Sequence, residues 1–294
     1  MSGKRFMALS ISPVENRRER ENGVLVYPVY SRRSGGLSVG INLFPGKKSC
    51  NFDCPYCEVF PFTANAVFSC DQMEEDLREV IAGALKQNIP VRDICFSGNG
   101  EPTLSPAFPE ALKRASRVRA ETAPASVLVL ITNGTGLLQP HIFSLLQDTA
   151  AALNIWLKLD AGTPCWYKKM NRCEIAFEKL IAKIKEFSAV APVTIQTMLC
   201  AIDGESPPDE EAQVWEQLIV ELAAGGKLRK VQIYGKARPA PEDPKTSSLP
   251  AEYLEERAES LRGKLHCIMR GKLRCNMRGM FAVLQNAPPV EVYL

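Results

Sequence analysis

The chain predicts an α/β fold, a partial (β/α)6 TIM-like barrel of parallel strands with an N-terminal arm and a C-terminal extension. Six short apolar, β-branched-rich segments alternate with segments of helical spacing. Such repeated β-α units call for parallel pairing through right-handed crossovers. Glycine and polar residues also recur just beyond the apolar segments, where barrel folds collect their sites. A doubly wound sheet shows the same alternation and stands as the alternative. The 294 residues fit an arm over 1–36, a barrel over 37–250, and a helix with a basic tail over 251–294.

In order, residues 37–43 read as the first buried strand, running directly into the loop 44–50. Residues 73–85 have helical spacing, with Asp71 as the expected N-cap, and Pro90 ends that segment. The remaining strands are 91–96, 127–131, 155–159, 193–199 and 231–234, and the helices 108–118, 138–146, 175–187 and 214–222 fall between them. Proline-rich residues 237–250 connect to a last helix over 252–261.

Composition narrows the function classes. No segment reaches the uninterrupted apolar length of a membrane span, and no signal core opens the chain, so a cytoplasmic protein is expected. Ten cysteines in an enzyme-sized chain without an export signal point to metal ligation or buried thiols rather than a disulfide scaffold. A formal charge of +3 marks no overall nucleic-acid binder, so any RNA contact has to come from local patches.

The chemistry concentrates in Cys50-Asn-Phe-Asp-Cys54-Pro-Tyr-Cys57, a C-x3-C-x2-C loop. Three thiolates from one loop can wrap a [4Fe-4S] cluster and leave one iron open for an exogenous ligand. A structural zinc site would want a fourth Cys or His at a paired spacing, and the chain has only His141 and His266.

With Tyr56 at its aromatic position, the motif resembles that of the radical S-adenosylmethionine (SAM) superfamily. The resemblance implies that Cys50, Cys54 and Cys57 hold a [4Fe-4S] cluster whose open iron binds the methionine part of SAM. One electron, from a donor such as flavodoxin or ferredoxin, then breaks a sulfur–carbon bond and yields the 5′-deoxyadenosyl radical. Ser97-Gly98-Asn99-Gly100-Glu101-Pro102 is similar to the family's glycine–glutamate motif and makes Glu101 the expected acceptor for the SAM amino group. Gly98 and Gly100 allow close backbone approach. Asn133, just past the third strand, Lys158 and Asp160, where the fourth ends, and Gln196, within the fifth, are candidates for the other SAM contacts.

Across 37–261 the chain looks like the branch grouped with wyosine-base synthases, which modify tRNA. No cysteine precedes Cys50, whereas that branch holds a second cluster there. RNA is therefore one candidate substrate, and a peptide, protein or small metabolite, clamped by Lys236 and Arg238, is the alternative. A non-enzymatic iron-sulfur or zinc protein is the reading from another class.

Cys95 and Cys200 fall in apolar strands and read as buried hydrophobes. Cys165, Cys173, Cys267 and Cys275 are the remaining candidates for a second cluster, and Cys70 has no evident role. From residue 260 to 290 the chain carries no acid but six cations, Arg262, Lys264, Arg270, Lys272, Arg274 and Arg278, a run that suits a phosphate-rich partner. Arg17, Arg18, Arg32 and Arg33 could extend that surface.

Overall fold

The computed structural model describes residues 23–276 and 287–294, without the side chains of 269–276. Strands β1 (Val26–Ser31) and β2 (Gly36–Ile41) form an antiparallel hairpin. From β2 the sheet continues in parallel, in chain order, through β3 (Val91–Phe96), β4 (Val127–Thr132), β5 (Leu153–Lys158), β6 (Val193–Ile202) and β7 (Leu228–Gly235). Strand β8 (Thr246–Ser248) pairs antiparallel with β6, and β9 (Val290–Tyr293) lies parallel to β7 at the far edge. A doubly wound sheet reverses its strand order at a switch point. Here the order never reverses, and β2 to β7 are the six parallel strands the sequence predicts, with β9 added as a seventh.

The sheet curls into a half-barrel. The hydroxyl of Tyr293, on the β9 edge, reaches the Arg33 carbonyl in the β1–β2 turn at 3.4 Å, a long-range contact between the last strand and the first hairpin.

Helices α1 (Cys70–Lys86), α2 (Phe108–Thr122), α3 (Pro140–Thr149), α4 (Pro164–Met170), α5 (Phe177–Val190), α6 (Asp209–Gly225) and α7 (Ala251–Asn276) fill the connections. The main core joins their apolar stripes to one face of the strands through residues such as Phe96, Leu130, Leu157, Ile195 and Ile233. On the other face Cys95, Val129 and Trp156 form a small separate apolar cluster. Both faces are thus buried, which explains why these strands read as continuous apolar runs rather than alternating ones.

Three features differ from the sequence expectations. Ser69, not Asp71, caps α1: its hydroxyl accepts from the Gln72 amide at 3.4 Å, and Asp71 instead lies in the first turn, where its charge suits the helix dipole. The last helix runs past 261 to Asn276. Strands β1, β8 and β9 and the short α4 were not foreseen.

Candidate active site

The cysteine loop follows β2 and is stitched to the end of β3. Ser49 donates its amide to the Asn99 carbonyl and accepts the Glu101 amide, each at 2.9 Å. This approach requires glycine at 100, because a Cβ there would sit 1.8 Å from the Ser49 carbonyl oxygen. Gly98 adopts φ +124°, a region open to glycine, with Asn42 packed against it.

Glu101 is almost fully buried, at 2% exposure. Its Oε1 accepts from the Thr103 amide (3.1 Å), the Thr103 hydroxyl (2.7 Å) and the Thr132 hydroxyl (2.6 Å). Its Oε2 accepts from the Asn133 amide at 2.7 Å. Burial pushes this carboxyl up, while the donors from Asn133, Thr103 and Thr132 pull it back. Oε2 takes a single donor and keeps room for one more.

Amide donors surround two of the three loop sulfurs. Cys50 Sγ accepts from the Phe52 amide at 3.4 Å and faces Asn133 Nδ2 at 3.7 Å. Asn133 also donates to Asn51 Oδ1 at 2.8 Å, and Thr135 completes that small network. Cys54 Sγ accepts from Asn171 Nδ2 at 3.4 Å, and the same nitrogen donates to Asp160 Oδ2 at 3.0 Å. Tyr56 donates its hydroxyl to Asp160 Oδ2, and Met198 donates its amide to Asp160 Oδ1 at 2.9 Å. Lys158 lies 3.5 Å from Asp160, donates to the Tyr234 hydroxyl at 2.6 Å, and stands over the Tyr56 ring at 5.1 Å.

Burial raises the Cys54 thiol to about 12 and the Cys50 thiol to about 11. Cys50 keeps solvent contact, so its shift weighs less than that of Cys54. Burial also holds the Tyr56 proton in place well above the ordinary phenol range. Burial works against the charge on Lys158, but Asp160, Tyr234 and Cys54 together raise its pKa. A bare thiolate is unfavourable at Cys54, and bound iron would supply the missing positive charge. N–H donors aimed at sulfur fit thiolate ligands, so the donor set suits an iron-sulfur cluster. Among the described residues, no three or more His, Cys, Asp or Glu side chains close around a single metal ion.

A family model described as the radical SAM superfamily matches residues 47–213, more than half of the chain. The chain belongs to the radical SAM superfamily. That superfamily uses a [4Fe-4S] cluster and S-adenosylmethionine. A UPF0026 protein of Helicobacter pylori is 30% identical over 174 residues, covering 57% of this chain and 51% of that protein. A UPF0026 protein of Synechocystis is 28% identical over 220 residues, 73% of this chain and 76% of that one. The chain thus spans about half the length of the Helicobacter relative.

Among solved structures, a radical SAM methyltransferase from Sphaerobacter thermophilus superimposes with a TM-score of 0.61 at 16% identity, covering 91% of this chain and 68% of that one. Streptococcus suis SuiB, bound to its precursor peptide SuiA, gives 0.54 at 14%, over 88% and 50%. TYW1 with a lysine-pyruvate adduct gives 0.50 at 14%, over 77% and 73%. At such identities the likeness is one of fold.

Most of the residues singled out in the sequence gather around the cysteine loop and the strand ends beside it: Cys50, Cys54, Tyr56, Gly98, Gly100, Glu101, Asn133, Lys158 and Asp160. Gln196 lies beside them, opposite Lys158 in the β5–β6 register. It is fully buried on β6 and donates to Gln232 at 2.8 Å, and its Oε1 has no partner among the described residues. Asn51, Thr132 and Asn171 were missed. Asn51 lies inside the cysteine motif and Thr132 at a strand end, both visible as position, whereas nothing in the sequence marks Asn171.

Lys236 pairs with Asp243 at 2.8 Å and Arg238 with Glu58 at 2.7 Å, so both expected clamp cations have acidic partners. Cys95 and Cys200 are buried, as expected. Cys165 and Cys267 are exposed and Cys173 is half-buried, while the Cys275 side chain lies outside the described residues. Arg262 pairs with Glu259 at 3.2 Å and Lys264 with the buried Glu216 at 2.7 Å. Arg17, Arg18 and Arg278, and the side chains of Arg270, Lys272 and Arg274, lie outside the described residues. No helix among the described residues is long and apolar enough to cross a membrane.

Proposed function

We propose that Cys50, Cys54 and Cys57 carry the [4Fe-4S] cluster and that the ends of β3, β4 and β5 hold SAM beside it. The observation that carries this reading is the set of N–H donors aimed at the Cys50 and Cys54 sulfurs. When bound, the cluster supplies one electron that cleaves SAM to a 5′-deoxyadenosyl radical. The chain's own residues bind and orient. Glu101 offers its remaining Oε2 acceptor site to the SAM ammonium, a charge-assisted bond of roughly 1.5–3 kcal/mol. Asn133 and Asp160 fix the loop's sulfur environment, and Lys158 presents a cation at the same mouth. A flavodoxin or ferredoxin is the proposed electron donor. Anaerobic reconstitution should load about four irons per chain. Loading of about one iron without sulfide would contradict the reading.

For the substrate we propose RNA, on the strength of the acid-free basic run 260–290. Arg262 and Lys264 are already paired, so the phosphate contacts fall to the rest of the run, Arg270, Lys272 and Arg274 among them. Affinity for bulk tRNA should drop steeply with salt. Replacing those three with alanine should flatten the log–log slope by roughly two to three units. A filter-binding titration checks this, and no binding at about 50 mM salt would move the substrate to a peptide or small metabolite.

A further inference from the structure

We propose that Asn171 sets the reduction potential of the cluster by hydrogen bonding the Cys54 sulfur. This rests on reading Cys54 as a cluster ligand. Asn171 follows α4 and is 2% exposed. Its backbone is already employed: its amide donates to the Tyr167 carbonyl at 2.8 Å, closing the helix, and its carbonyl accepts the Asp53 amide of the cysteine loop at 2.9 Å. The side chain is therefore free of capping duty, and its two N–H bonds go to Asp160 Oδ2 at 3.0 Å and Cys54 Sγ at 3.4 Å.

Asp160 decides which way the carboxamide faces. The opposite orientation would set the amide oxygen against a carboxylate that only accepts. Asp160 is itself pinned by Tyr56, by the Met198 amide and by Lys158. The NH2 group is thus aimed at the sulfur by a carboxylate that cannot easily turn. When a chemical reductant such as dithionite delivers one electron, the cluster's charge falls by one and part of that charge reaches the ligand sulfurs. No bond breaks and no proton leaves Asn171. A donor on the sulfur stabilises the more negative state and so raises the potential. Cys50 receives its shorter bond from a backbone amide, which no side-chain change removes. At Cys54 the tuning bond belongs to a side chain.

The test is a redox titration of the anaerobically reconstituted chain, followed by electron paramagnetic resonance. Asn171→Leu keeps the shape and both backbone bonds but has no donor. It should load the same iron as the parent and become about tenfold harder to reduce, about 59 mV lower for a one-electron couple. Full iron with an unmoved potential overturns the proposal. Should the variant fail to load, the parent labelled with 15N-asparagine decides. Its reduced cluster should show an amide nitrogen coupling that persists in equally labelled Asn133→Ala, where Asn171 is the asparagine side chain left against a loop sulfur, and absence of that coupling there overturns the proposal. A parent that loads no iron overturns the cluster reading itself, and the proposal with it.

Discussion

Cys54→Ala is expected to abolish both iron loading and 5′-deoxyadenosine formation. Cys54 is the middle ligand of the proposed three, and its sulfur sits where Asn171, Tyr56 and Asp160 converge. Losing one thiolate opens a second iron and strips the loop of a third of its ligands. Removal of a mere outer-shell partner costs about 10–100-fold in metal affinity or activity, so loss of a ligand should exceed the upper end of that range. Cys70→Ala is the matched control. Cys70 begins α1 and is half-buried outside the loop, and its loss should leave iron content at the parent level. Iron and sulfide assays on the two variants decide the matter. Equal loading in both would remove Cys54 from the cluster.

Glu101→Gln should have the second-largest effect, because the carboxylate serves two ends. It accepts four hydrogen bonds from Thr103, Thr132 and Asn133, tying β3 to the exit of β4. An amide there must point its NH2 either at the Asn133 amide or at the Thr103 amide, donor against donor. A buried donor left unsatisfied costs about 1–3 kcal/mol, which a denaturant titration reads directly. The same change removes the charge that faces the SAM ammonium, weakening SAM binding by about one to two decades. Iron content should persist, since the Glu101 side chain touches none of the three cysteines. Parent-like SAM affinity in calorimetry would take Glu101 out of the cofactor site and leave it a purely structural brace.

The parallel strands were legible because burial on both faces writes each one as an unbroken apolar run with polar residues at its exit. Strand β1 was not: Val26-Tyr-Pro-Val-Tyr-Ser carries a proline, which suits an edge strand but blurs its signal. Its Tyr27 packs where a Cβ on Gly40 would collide, a tertiary fact with no local trace. Strand β9 is four residues long and finds its partner β7 across the whole of α7. In the site, the triplet and the glycine–glutamate stretch could be read because their spacing is short. The brace around Glu101 reaches Thr132, 31 residues away, and Asn171 meets Cys54 across 117 residues, so only the folded chain brings them together. The expected Lys236 and Arg238 clamp failed to stand free because their acidic partners Asp243 and Glu58 lie on other turns of the chain.

Loop 50–57, on the reading proposed above, turns SAM into a carbon radical. Anaerobically reconstituted protein, given SAM and a strong reductant, should release 5′-deoxyadenosine in multiple turnovers even without substrate, measured by liquid chromatography and mass spectrometry. Protein carrying about four irons per chain that leaves SAM uncleaved under the same conditions would contradict the account.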